Sequence, residues 1–334
     1  MQAFSLLDLA PIRAGGSPAE ALRQSIDLAQ HAERCGYARY WMAEHHNSTG
    51  IASAATAVAL CAVGAATSRI RIGAAGVMLP NHSPLVIAEQ FGTLESLYPG
   101  RVDLGLGRAP GTDGKTALAL RRENVRADER FPQDVVELQH YFDQGFNGIK
   151  AVPGDGLHVP LWILGSSLFG AQLAAKLGLP YLFASHFAPD ALLEALRVYR
   201  ERFEPSAVLS RPYAGAAINV FVADSEEEGR RMHRGMMQGF IFLRRGQAGP
   251  LQAPVDDLRE IALPHEIAMA EHVLSESAVG TPIQAKAFMD EFLARTQVDE
   301  LVVTCHAYDH AARKRSIELA AELLRPLQGP ASGA

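Results

Sequence analysis

Five histidines follow short apolar runs in this chain: His45 and His46 within Glu44-His45-His46-Asn47, then His82, His186 and His306. Imidazole is the side chain that both accepts and donates a proton near neutrality. Successive residues leaving a strand point to opposite sides. One imidazole of the His45-His46 pair can therefore face a site while the other packs outward against a helix. Either one can equally be a hydrogen-bonded packing group. A metal centre needs at least three protein ligands, for example His186 with Asp8 and one of the pair. No spacing demands such a set, and no metal is expected.

Other groups suit anion and ring binding. Leu104-Gly105-Leu106-Gly107-Arg108-Ala109-Pro110-Gly111 superficially matches G-x-G-x-x-G, but Pro110 stands at the third glycine, which argues against a dinucleotide-binding crossover. Glycines there can instead admit a flat ligand to the backbone. Arg108 carries a planar fork of donors suited to phosphate or carboxylate, or makes a rim ion pair. Ile163-Leu164-Gly165-Ser166-Ser167 leads into a helical pattern. Its free N–H groups and the serine hydroxyls make an anion site, and a serine there also serves as an ordinary N-cap. Ala74-Ala75-Gly76-Val77 could seat a planar ring against backbone or simply pack tightly.

The elements that must position these residues alternate. Strand-like runs are Phe4–Leu9, Tyr40–Ala43, Ile70–Gly76, Val102–Gly107, Leu161–Leu164, Tyr181–Ala184, Ala217–Val222 and Leu301–Thr304. Helical spacing fills the intervals. Ser17-Pro18-Ala19-Glu20 opens the first helix, which ends near Gly36. The others are Ile51–Thr67, a helix opening at Ser83-Pro84, a charged one from about Asn124 to Phe142, Leu168–Leu177, and helices near Asp190–Phe203, Ser225–Leu243 and Asp309–Leu324. Parallel strands with crossover helices form an open doubly wound sheet or a closed barrel. Eight successive units favour a (β/α)8 barrel, with its site at the C-terminal strand ends. The polar strand-end residues are then those already named, with Asp8, Asn81 and Ser185. The Gly- and Pro-bearing segment Arg245–Thr281 lies before the eighth strand and suits a lid.

Composition sets the setting. The chain has 334 residues, 48% apolar and 20% charged, with a formal charge of −6. This composition is that of a globular protein with no basic excess for nucleic acid; length alone would suit two domains, and the barrel reading makes it a single domain over residues 1–334. Three scattered cysteines fit a reducing, cytoplasmic location. The uncharged stretch from His45 to Ser68 is Ala-rich and reads as a buried helix, so no membrane association is expected.

Together, AEHHN (Ala43–Asn47), IGAAGVMLPNHSP (Ile72–Pro84), LYPGRVDLGLGRAPG (Leu97–Gly111), WILGSSLFGAQLAAKLGLPYLFASHFAP (Trp162–Pro189) and Val298-Asp299-Glu300-Leu301-Val302-Val303 resemble the bacterial luciferase-like flavin monooxygenase superfamily over nearly the whole chain. The likeness is strongest to luciferase-like oxidoreductases whose substrates are mostly unassigned. It implies a barrel, usually dimeric, that uses FMN or a deazaflavin coenzyme, with an insertion near the seventh strand folding over the site. It places the site histidine at His45 and a non-proline cis peptide at Ala75-Gly76. It maps phosphate-binding positions onto Arg108, Ser167 and Gly170. Ser166 stands where the light-emitting alpha subunit has an acidic residue, and Gly170 where it has a hydroxyl. Gly107 replaces a cysteine beside the flavin, so light emission is not expected.

The implied activity is oxygenation of a small apolar or aldehyde-like substrate, using reduced FMN from a separate flavin reductase and dioxygen. A deazaflavin-dependent hydride transfer and a non-catalytic flavin-binding protein are the alternatives. His46, His186 and Phe187 are the candidate substrate-pocket residues. Trp41 is a candidate wall or ordinary core. The small-residue face of Ile51–Thr67, with His82 to Glu89, suggests a homodimer contact or burial within one chain.

Overall fold

A computed structural model describes residues 1–109, 114–120 and 129–328. Pro110, Gly111 and the expected helix start at Asn124 lie outside the described residues. Among the described residues, nine strands form one sheet: β1 (Ala3–Asp8), β2 (Arg39–Met42), β3 (Arg71–Met78), β4 (Val102–Gly107), β5 (Leu161–Gly165), β6 (Tyr181–Phe183), β7 (Ala214–Val222), β8 (Ser277–Gly280) and β9 (Glu300–Thr304). β1 through β7 pair in sequence order, and β9 pairs with both β7 and β1. This closes an eight-stranded parallel ring. β8 stands outside the ring, pairing with the last residues of β7, Asn219 to Val222.

The helices are α1 (Pro18–Cys35), α2 (Thr56–Ala66), α3 (Pro84–Leu97), α4 (Gly114–Leu120), α5 (Phe131–Asp143), α6 (Leu168–Leu177), α7 (Leu192–Glu201), α8 (Glu226–Arg244), α9 (Pro264–Val273), α10 (Pro282–Thr296) and α11 (His310–Leu324). Local chemistry sets their ends where the sequence signals are strong. Ser17 accepts from the Glu20 N–H at 3.2 Å, and Gly36 ends α1 at φ 85°, a left-handed conformation open to glycine. α2 starts later than its helical spacing suggests. Ile51 pairs with Pro11, the Ala52 N–H donates to Ala10, and the Ser53 hydroxyl donates to the Leu9 carbonyl. These bonds hold residues 51–53 extended against the loop after β1.

Strand alternation sorts two cores. Phe4, Leu6, Tyr40 and Met42 face the helices. Leu7, Trp41, Trp162, Leu182, Ala217 and Val302 fill the ring interior, where the two indoles meet edge to face at 5.0 Å. Trp41 is thus interior packing, fully buried. At the N-terminal end of the ring, Arg39 donates to Glu300 at 3.0 Å and to Asp103 at 2.8 Å, and Arg71 donates to Asp103 at 2.6 Å. Both carboxylates are fully buried, and this ionic floor closes the barrel from below.

Between β7 and β9 the chain builds α8, α9, β8 and α10. The insertion has a small core of its own: Met237, Ile241, Leu258, Ala270 and Leu274. Its loop lies on the strand-end loops of β1 and β2. Leu251 donates to the Ile12 carbonyl and accepts from the Ala14 N–H, each at 2.8 Å. A Cβ at Gly50 would lie 2.1 Å from the Gly249 carbonyl oxygen, so only glycine permits this approach. No helix among the described residues is long and apolar enough to cross a membrane.

Candidate active site

β4 and β5 end side by side, and their loops build an anion cradle. The guanidinium carbon of Arg108 lies 4.1 Å over the Phe169 ring. Phe169 is in the first turn of α6, so the stack sets a cation beside that helix's N-terminus. The first N–H groups of a helix have no intrahelical partner and favour an anion. Ser167 is the N-cap, but its side chain makes no capping bond. Ser166 and Ser167 are both exposed, leaving their hydroxyls directed to solvent or ligand. Gly170 is buried, and a Cβ there would lie 3.3 Å from Tyr181 and 3.4 Å from Gly165. This glycine lets the first turn of α6 settle onto β5.

Across β3 and β4 the strands approach too closely for side chains. A Cβ on Gly76 would lie 2.4 Å from Leu164 Cδ1 and 2.7 Å from the Gly105 carbonyl, and one on Gly105 would lie 2.4 Å from the Ala74 carbonyl. The peptide between Ala75 and Gly76 is cis, and the β3–β4 register shifts between Ala74 and Val77. At Gly107 the reverse holds: a Cβ would meet nothing nearer than Val77 oxygen at 3.8 Å. The strand end is therefore open there, next to Arg108.

Three histidines come from the ends of β2, β6 and β9. Burial holds the His45 imidazole below its ordinary range; Glu44 opposes this and His46 adds to it. His186 is pushed down to about 3, by burial and then by His306. His306 falls to about 4, through burial, Arg313 and His45, with Asp8 opposing. His306 thus bears on His186, and His45 on His306, with burial the larger cause for each ring. Nδ1 of His45 and of His186 is buried with no hydrogen-bond partner among the described residues. His306 Nε2 lies 3.1 Å from the Thr304 hydroxyl. Phe187 meets His186 edge to face at 4.7 Å and is half exposed.

The structure does not bring His46 to His186 and Phe187. Its Nε2 lies 2.7 Å from Glu44, as does that of His82, in a pocket lined by α2 and α3. Nor does Asp8 join the histidines at the rim. It is wholly buried and accepts from Ser25, Tyr40, the Ala10 N–H and Arg313. Burial alone would raise this carboxyl, yet Arg313 and the hydroxyls hold it at about 2. Asp8 anchors β1 to α11, and the conceivable ligand pair Asp8–His186 is not assembled. Phe169, Gly50 and the partnership of His82 with Glu44 go unmarked in the sequence. Only the nearness of Phe169 to a helix start hints at its place.

A closed parallel barrel whose C-terminal rim carries Arg108 stacked on Phe169, with His45, His186 and His306 at neighbouring strand ends, defines a (β/α)8 protein. The chain belongs to the luciferase-like monooxygenase family, whose profile matches residues 2–300. It is 51% identical over 329 residues to a luciferase-like monooxygenase of Escherichia coli K12, covering 98% of each chain. Among solved structures, apo-MsnO8 superposes with a TM-score of 0.87 at 30% identity, covering 97% of this chain and 99% of that one. The oxygenating constituent of 3,6-diketocamphane monooxygenase from Pseudomonas putida, a type II Baeyer–Villiger enzyme in complex with FMN, shares the fold. Its TM-score is 0.74 at 18% identity, with 98% of both chains covered.

Proposed function

We propose that this protein is a flavin-dependent monooxygenase that takes reduced FMN and dioxygen and oxygenates a small apolar or aldehyde-like substrate. The observation that carries the reading is the Arg108–Phe169 stack at the α6 N-terminus. It suits a phosphate monoester, which Arg binds through paired charge-assisted donors. The residues present fit the cofactor. Arg108, Ser166, Ser167 and the backbone N–H of Gly170 would hold the phosphate. At the end of β4, Gly107 leaves backbone open to a flat ring, and Ala75 and Gly76 at the end of β3 would border that ring. FMN bound in the Pseudomonas relative supports the same choice.

Reduced flavin supplies the electrons that activate dioxygen. The protein's own work is binding, drying and proton handling. Trp41, Trp162 and Leu182 seal the barrel beneath the mouth. The segment 245–281 acts as the lid, its Leu251 strap already laid against Ile12 and Ala14, so water is excluded above. Burial holds the His45 imidazole below its ordinary range, and its Nδ1 has no hydrogen-bond partner among the described residues. It accepts and returns the proton at the reacting centre, while His186 and Phe187 border the substrate. Reduced FMN comes from a separate reductase. The protein works as a cytoplasmic homodimer, joined through the uncharged α2 and the neighbouring α3.

The test mixes protein loaded anaerobically with reduced FMN against dioxygen in the presence of decanal. The expected result is aldehyde consumption matched to dioxygen uptake, lost in His45→Ala while FMN binding persists. Binding with reoxidation alone, and no oxygenation by wild-type protein of any aldehyde or apolar substrate tried, would favour a flavin-binding protein. Binding of reduced deazaflavin in place of FMN would replace oxygenation with hydride transfer.

A further inference from the structure

Glu44, His46 and His82 offer three ligand atoms that all lie within 4.8 Å of one another. One oxygen, Oε1 of Glu44, sits 2.7 Å from Nε2 of both imidazoles. Two elements bring them together: the segment leaving β2 carries Glu44 and His46, and the short turn between β3 and α3 delivers His82. They line a pocket of about 220 Å³ on the helix side of the barrel, walled by Ala54, Val58, Ile87 and Phe91.

We infer that Glu44, His46 and His82 form a binding site for a divalent metal ion of the zinc class, on the outer face of the barrel. The donor set is two imidazole nitrogens and one carboxylate oxygen, a combination suited to zinc with an open fourth position for water. The carboxylate is buried, 3% exposed. One of its oxygens faces both imidazoles, so an ion placed among the three ligand atoms would meet a buried negative charge.

The required movement is small. Ligand atoms at ordinary zinc distances stand about 3.3 Å apart in a tetrahedron, against the 2.7 Å seen between Glu44 oxygen and each nitrogen. The two Glu44–nitrogen separations open by about 0.6 Å, and the two nitrogens, within 4.8 Å of each other, settle to the same spacing. In the present arrangement each Nε2–H donates to Glu44. On binding, the Nε2 lone pair of each ring takes the metal in place of that hydrogen bond. His45 lies between two of the ligands in sequence, so occupancy would pin the backbone on both sides of it without touching its ring.

The experiment titrates chelator-treated full-length protein with Co²⁺, alone and then against Zn²⁺. The expected result is one cobalt per chain with a visible d–d band, displaced by zinc. Two exchangeable imidazole N–H resonances should appear, shifted by the paramagnetic ion. His46→Gln and His82→Gln should each lose the band with thermal unfolding unchanged, and His158→Gln, at an exposed site, should keep it. Absence of a wild-type band overturns the inference whether or not the variants fold. So does a band that survives both substitutions, or one carrying the intense near-ultraviolet absorption of thiolate ligation.

Discussion

The guanidinium of Arg108, at the end of β4, is stacked on the ring of Phe169 in the first turn of α6, 4.1 Å from its centroid. Two neighbouring crossover units thereby contribute to one patch of the rim, the proposed phosphate site. The ring restricts a side chain that otherwise carries considerable rotamer freedom, and a preorganised fork loses less entropy on binding.

Removing the ring while leaving the charge tests that role. Phe169→Leu forfeits a cation–π contact worth about 0.5–1 kcal/mol. Reduced-FMN affinity should fall roughly two- to fivefold, with riboflavin affinity unchanged. Fluorescence titration of both ligands measures it.

The ionic floor should be costly to break from one side. Arg39 bridges Asp103 and Glu300, two carboxylates with no solvent exposure. Arg39→Met leaves both with less counter-charge, and stability should fall by about 3–5 kcal/mol. Urea unfolding at neutral pH checks the loss, and a change under about 1 kcal/mol would contradict it.

Acid should weaken the fold through the rim histidines. In the unfolded chain they protonate near pH 6.5; in the folded protein His186 does so at about 3 and His306 at about 4. Between those values the unfolded state binds more protons, so stability is full above pH 6.5 and declines as pH falls toward the folded values. The urea midpoint should drop steadily between pH 6.5 and 4. His186→Leu should flatten that decline, and an unaltered slope would show that His186 is not held neutral.

The uncharged α2 bears on assembly. Val58 is 73% exposed on it, and Val86 and Leu97 of α3 are also exposed. A second copy covering this face would bury them. Val58→Glu should convert the dimer to monomer in sedimentation-velocity experiments, and wild-type protein that sediments as a monomer would refute the pairing.

Much of the fold was legible in the sequence because its parallel strands are buried on both faces and read as short apolar runs. Capping residues such as Ser17 and Gly36 marked their helix ends directly. β8 escaped because Ser277-Ala278-Val279-Gly280 is brief and mostly small, and it gains its strand conformation only by lying along the end of β7. The early part of the expected second helix was lost to tertiary bonds from Ala52 and Ser53, which local spacing cannot reveal. At the site, strand-end position exposed Arg108, His45 and His186. The direction of His46 depended on Glu44 and His82, and His82 lies 38 residues from Glu44 in the chain. Phe169 looked like any apolar residue of a helix until Arg108 was placed above it.

In the proposed function, the mouth recognises the phosphate of reduced FMN through Arg108. The most direct measurement is anaerobic titration of wild-type protein and Arg108→Ala with reduced FMN and with reduced riboflavin, which lacks the phosphate. Wild-type protein should prefer FMN by about tenfold or more, the scale of a hydrogen bond to a charged group, and Arg108→Ala should bring the two ligands to near-equal affinity. Equal binding of both by wild-type protein, or a preference that survives Arg108→Ala, would contradict the claim.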